Sequence, residues 1–139
     1  MATYVKHQVF VEDLANKVHD LSVDTLTIAL LANASLPVVT NAILGNLTVI
    51  NYANLSARAI TITSAVHTTG TLKLILADLV LTASGAVATF RWVDMWNDTP
   101  SSPADPLISF WDYGSDVTLA NTETFTIDFS AANGVLTIA

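Results

Sequence analysis

Thr25-Leu26-Thr27-Ile28-Ala29-Leu30-Leu31 is the stretch whose reading decides the fold. Small and large side chains alternate along it, and a β-strand sends successive residues to opposite faces. A period of two here predicts a half-buried strand. The same period persists downstream. Ala59-Ile60-Thr61-Ile62-Thr63 places two isoleucines on one face and two threonines on the other. Further strands are expected at residues 71–76, 79–82, 87–96, 106–111, 124–129 and 135–138, parted by Gly70, Asp78, Ser84-Gly85, Gly114, Asn121 and Asn133-Gly134. In the longest of them, Phe90, Trp92, Asp94 and Trp96 should share one face and Arg91, Val93 and Met95 the other. Asn133-Gly134 is a strong hairpin signal, and it predicts a type I′ turn pairing residues 125–129 with 135–138. Roughly eight to ten short strands with no helix between them point to an all-β fold, mainly an antiparallel sandwich or jelly-roll-like barrel.

Upstream of Asp24 the period is helical. Phe10, Leu14, Val18 and Leu21 fall at spacings that form one stripe. Val11 widens the stripe, and Glu12, Asp13, Asn16 and Lys17 are left to face water. A short amphipathic N-terminal helix is therefore expected over about residues 8–20, closing one end of a β core over about residues 25–139. At 139 residues the chain suits one domain, 1–139, able to bury about two-thirds of its unfolded surface without disulfide or metal.

Composition narrows the function. There is no cysteine, so disulfides, thiolate metal sites and cysteine nucleophiles are excluded. With 5 Lys and Arg against 12 Asp and Glu, the net charge of -7 argues against a nucleic-acid partner. No apolar run approaches the roughly 20 residues of a membrane-spanning helix. Met1 to His7 lacks the apolar region of a secretory signal, so synthesis in the cytoplasm is expected. Charged residues make up only 12% and hydrophobic ones 52%, which excludes disorder.

The charge-poor character is concentrated in one place, because no charged side chain occurs between Asp24 and Arg58. Two readings compete. The segment is either a core strand followed by a loop solvated by Asn, Thr and Ser, or a surface lying against another chain, since charges are depleted at interface cores. The overall hydrophobicity favours the second and an oligomer. The candidate contact residues are Pro37, Val38, Val39, Ile43, Leu44, Leu47, Val49, Ile50 and Tyr52, joined by Trp96 and Trp111.

Catalytic and metal-binding patterns do not emerge. His7, His19 and His67 have no spacing that offers two nitrogens to one metal, and they read as surface or capping residues. No Gly-x-Ser-x-Gly elbow, phosphate-binding glycine loop or EF-hand is present. Asp94, Asp98, Asp105, Asp112, Asp116, Glu123 and Asp128 crowd the C-terminal half. A pair such as Asp94 and Asp112 could serve glycoside hydrolysis, or a cluster could hold calcium, yet most read as solvated turn residues. Trp92, Trp96 and Trp111 near these acids suggest a sugar-stacking platform as an alternative to core or interface packing. No cofactor or metal is called for.

Several motifs together resemble a family of small virion proteins of tailed bacteriophages. They are Phe90-Arg91-Trp92, Asn97-Asp98-Thr99-Pro100, the run from Pro103 to Ile108, Trp111-Asp112-Tyr113-Gly114-Ser115, and the run from Phe125 to Thr137. The opening run from Phe10 to His19, followed by Asp24-Thr25-Leu26, is similar too. About half the chain is covered, at both ends. Residues 32–57 depart from the pattern, as do Asp116 and the glycine-free Ala120-Asn121-Thr122-Glu123. The resemblance implies a non-catalytic capsid decoration, or cement, protein. It would bind the major capsid protein on the outer capsid surface and stabilise the head, as a homotrimer with a β-sandwich or jelly-roll fold. A tail, neck or fibre component is the alternative, with a carbohydrate-binding module behind it.

Overall fold

A computed structural model describes residues 2–139. The fold is all-β with one short helix: β1 (Tyr4–Lys6), α1 (Val9–Ala15), β2 (Leu26–Leu31), a 3-10 turn (Leu44–Asn46), β3 (Ala59–Ile60), β4 (Ile62–Thr68), β5 (Thr71–Leu76), β6 (Leu79–Thr82), β7 (Val87–Asn97), β8 (Leu107–Leu119), β9 (Thr124–Ile127) and β10 (Leu136–Ile138). One layer is a five-stranded antiparallel sheet in the order β1-β8-β7-β2-β3. The other holds β10-β5-β4 and the pair β6-β9. On the side of β4, the Ala77 N–H between β5 and β6 donates to the Thr61 carbonyl, and the Ser56 N–H donates to the carbonyl of Thr82 at the end of β6. That leaves β9 and β10 in line along the opposite side.

The main core fills the space between the layers. Ile28, Leu30, Val93, Met95 and Ile108 of the five-stranded sheet pack with Leu74, Leu76, Leu81 and Leu136 of the other layer. Fully burying each large aliphatic contributes about 1.5–3 kcal/mol.

The expected strand at residues 25–31 is present as β2, but it is buried on both faces rather than half-buried. Leu26, Ile28 and Leu30 enter the main core, while Ala29 and Leu31 enter a second cluster with Trp96 and Leu107. Ala29 and Thr27 are small, so alternation in size looked like alternation in polarity. The run 59–63 is divided, with Ala59 and Ile60 in one layer and β4 beginning at Ile62 in the other.

β7 also departs from simple alternation. Phe90 packs with Val93 and Met95 in the main core, whereas Trp92 packs with Trp96 on the opposite face. The register breaks between Phe90 and Trp92, where two steps along β7 oppose five along β8, and the irregular backbone there turns these two side chains to opposite faces.

Three other expectations need correction. Residues 125–129 and 135–138 do not form a hairpin: β9 pairs with β6, and β10 pairs with β5. Gly134 takes a positive φ (74°) but Asn133 does not, so the turn is not type I′, and it connects strands that are not partners. The helix ends at Ala15 instead of near residue 20, with Lys17 at φ 62° and the Val18 N–H bonded to the Asp13 carbonyl at 2.8 Å. Phe10 and Leu14 face the core as expected, but Val11 is 53% exposed and Asp13 is buried. A helix this short has no independent stability and is held by its packing. Finally, the strand expected at residues 106–111 does not end before Gly114: β8 runs through it from Leu107 to Leu119, with Gly114 at φ 93°.

Candidate functional site

The uncharged segment folds back over its own sheet. The N–H of Gln8 donates to the Val39 carbonyl (2.8 Å), that of Leu44 to Asp105 (2.9 Å), and that of Leu107 to Ala42 (2.9 Å). The Asn46 side-chain oxygen accepts from the N–H groups of Ala42 and Ile43, fixing the turn that carries Leu44. Leu44 and Leu47 then cover Ala29, Leu31, Trp96 and Leu107. Much of the missing charge is thus explained within the chain, because this segment roofs the second face of the five-stranded sheet.

Placement divides the candidate contact residues. Pro37, Ile50 and Trp96 are buried and have no surface to offer another subunit. Tyr52 packs on the main core, and Val39, Ile43, Leu44 and Leu47 are half-buried. Val38 (45%) and Val49 (37%) remain exposed, as does Leu36 (55%), two residues before Val38. Trp111 is half-buried, with its ring edge-on to Tyr4 and Phe129.

The same segment protects the open edge of β2. Beyond β3, the Tyr52 hydroxyl accepts from the Leu30 N–H at 2.9 Å, and the Ile50 N–H donates to the Leu30 carbonyl at 3.0 Å. The Arg58 guanidinium donates to the Ile28 carbonyl and stacks over the Tyr52 ring at 3.6 Å. Burial is the first cause that raises the Tyr52 phenol above its ordinary value.

On the roofed side of the sheet, His7 Nε2 and Asp94 Oδ2 meet at 2.9 Å, both wholly buried. Burial raises the Asp94 carboxyl above the usual range, and the hydrogen bond from His7 pulls it back in part. A second buried group joins Asn97, whose amide donates to Asp24 Oδ2 (2.6 Å) and lies 3.1 Å from His19 Nδ1. Burial lowers His19 below its ordinary value, against the raising effect of Asp24. His7 and His19 are therefore interior residues, contrary to their reading as surface or capping groups; only His67 is exposed. Asp94 likewise is not a turn residue, and Asp112 pairs elsewhere, with Arg91 at 2.7 and 2.8 Å. Among the described residues no three His, Asp or Glu side chains converge on a point where a metal could sit.

The three tryptophans do not form one platform. Trp92 and Trp96 lie on the roofed face, and Trp111 lies on the face toward the main core. An aromatic groove does exist at a place the sequence reading did not single out. It opens at the seam between the layers, with a volume of about 610 Å³. Trp111 and Tyr113 of β8 line it together with Phe125, Ile127 and Phe129, and the two sets meet edge-on, Tyr113 against Phe125 at 5.3 Å and Trp111 against Phe129 at 6.4 Å between ring centres. Each set alternates with polar neighbours and is legible as a strand face. Their meeting depends on how the two layers stack.

No family model, curated protein or solved structure matches the chain.

Proposed function

We propose that this protein is a non-catalytic capsid decoration protein of a tailed bacteriophage, bound to the outside of the head. The observation that carries the reading is the roof over the sheet. A long surface segment is free of charge and leaves Leu36, Val38 and Val49 in contact with solvent. Contact cores between protein subunits are depleted of charge, and such a surface suits association with other chains. The motif resemblance directs that association to the major capsid protein and to two further copies of this chain in a homotrimer.

The chemistry fits a structural role. The buried acid–histidine pair is closed to solvent and so cannot meet a substrate. Many modest contacts to an assembled lattice stabilise it by mass action, because the ligand binds the shell and not its free subunits. With few charges involved, binding should change little as salt rises.

The test is to remove the protein genetically or by stripping, add it back, and follow capsid rupture on heating. Saturable binding at about one copy per capsid subunit with a raised rupture temperature supports the proposal. Antibody labelling confined to the tail, with no binding to heads, refutes it. Sedimentation equilibrium at micromolar concentration checks the trimer, which a lone 14.8 kDa species would contradict.

A further inference from the structure

Residues 9–24, which carry α1 and the chain from it to β2, make few polar bonds to the rest of the fold. Both ends are anchored. The His7 N–H donates to the Ile108 carbonyl (3.0 Å) and that of Gln8 to Val39, while the Thr25 carbonyl accepts from the Asp98 N–H at 2.8 Å. Between those anchors, the backbone bonds of Asn16, Lys17, Val18, Val23 and Asp24 all stay inside the segment. Among the described residues, every hydrogen bond from the segment to the rest of the fold ends on one side chain, that of Asn97 at the end of β7. Packing of Phe10, Leu14 and Leu21 on the main core does the remainder. α1 has seven residues, too few for a helix to persist once that packing is lost.

Asn97 fixes the protonation of its histidine partner. Its Oδ1 accepts from the Thr99 N–H at 3.1 Å, so Nδ2 is the end that meets Asp24 Oδ2 at 2.6 Å and His19 Nδ1 at 3.1 Å. An amide nitrogen offers only donors. His19 Nδ1 must therefore accept, and the ring is the neutral tautomer with its proton on Nε2. A second proton would set N–H against N–H. Nor would the charge find an acceptor elsewhere, because Nε2 is buried and has no hydrogen-bond partner.

The ring is faced by Phe10 of α1, its centre 5.2 Å away, by Asn97 of β7, and by Asp24 before β2. Asp24 is the charged one, and its Oδ2 is already shared between Asn97 and the Asp20 N–H (2.7 Å). The Asp20 carboxylate is turned to Ser22. Burial outweighs the attraction of Asp24 and holds His19 below its ordinary value.

We infer that residues 9–24 form a flap that is closed while His19 is neutral and is released in acid, when protonation of His19 breaks its bond to Asn97. The released flap, with His19 in water, binds the proton more tightly than the closed one. Closure therefore weakens as pH falls below about 6.5. With one proton taken up, the released population rises by up to about tenfold between pH 7.5 and 5.5. Asp13, also buried in the flap, acts in the opposite sense, since burial raises its carboxyl and acid then favours the closed form. Release frees Phe10 and Leu21 from the main core and leaves the sheet bonds in place, whatever partner the protein binds.

The experiment uses the full chain labelled with ¹⁵N. Histidine two-bond spectra at pH 7.5 should show His19 with Nδ1 unprotonated and the proton on Nε2. Amide hydrogen exchange is then compared at pH 7.5 and 5.5, as protection relative to an unfolded chain. Asn16, Val18 and Asp24 should be protected at least about tenfold less than Ile28 and Leu30 of β2, and their protection should fall by roughly three- to tenfold in acid. His19→Asn keeps an acceptor where Nδ1 lies but cannot titrate, so its flap protection should change less than about twofold between the two pH values. A proton on His19 Nδ1 at pH 7.5, or flap protection unchanged in acid, overturns the inference. So does flap protection equal to that of β2, which would mean that the segment opens only when the whole protein unfolds. An acid response of the same size in His19→Asn would assign it to another group, such as His7, and overturn it too.

Discussion

Replacing His7 by leucine removes one half of a pair that is wholly buried on both sides. The imidazole is exchanged for an apolar group of similar bulk, so little packing is lost. What remains is the buried Asp94 carboxyl without its partner. Its Oδ1 already has no hydrogen-bond partner, and the substitution leaves Oδ2 without one as well. Removing one partner of a buried acid–base pair costs about 3–5 kcal/mol. With a urea dependence of about 1–3 kcal/mol per molar, the unfolding midpoint at pH 7 should fall by roughly 2 M. The double variant His7→Leu/Asp94→Leu removes both polar groups and should recover most of that loss, because no buried polar group is then left without a partner. Equilibrium urea unfolding of the four members of the cycle measures the coupling directly. The sign of the pH dependence also follows. Burial raises the Asp94 carboxyl in the folded state, so its contribution is most favourable at low pH and is lost as pH rises through the folded value. The deficit of His7→Leu relative to wild type should therefore grow from acid toward neutral pH. A single variant within about 1 kcal/mol of wild type at pH 7, or a double variant no better than the single, would refute the reasoning.

Other substitutions separate the remaining causes of stability. Gly134→Val forces a β-branched residue to a positive φ of 74°, with its Cβ placed 2.6 Å from Lys73 Cγ and 2.7 Å from the Leu74 carbonyl oxygen. It should cost about 2 kcal/mol or more and lower the melting temperature by several degrees. Gly114→Ala has φ 93° but open space around its Cβ, so strain alone acts and the loss should be near about 1 kcal/mol. Equal melting of both variants would show that crowding at Gly134 contributes nothing. Tyr52→Phe deletes the hydroxyl that serves the Leu30 N–H, and should cost about 1–2 kcal/mol while speeding exchange of that one amide. An unchanged Leu30 exchange rate would mean that another group protects the edge of β2.

The amino-acid sequence alone determined the class of the fold and most of its strands. A side-chain period of two is a local property, and the runs around Ile28, Leu74, Val93 and Ile108 carry it without help from distant residues. Phe10 and Leu14 likewise announced a helix and the face it buries. Local pattern stops short of partnership. The Asn133-Gly134 signal gave the right backbone conformation at Gly134 and the wrong strand pair, because a turn specifies its own dihedral angles and the sheet specifies who lies beside whom. The bulge at Phe90–Trp92 reversed the facing of one residue against the rest, which no alternation rule contains. The absence of charge between Asp24 and Arg58 was plain in the sequence, but its cause was not. Only the stacked structure shows that part of the segment roofs a sheet while Leu36, Val38 and Val49 face outward. His7 and Asp94 lie 87 residues apart. Each alone looks like a surface group, and burial becomes affordable only when the fold brings the two together. The aromatic groove has the same origin: β8 and β9 each display an ordinary apolar face, and the way those faces meet is set by how the two layers stack.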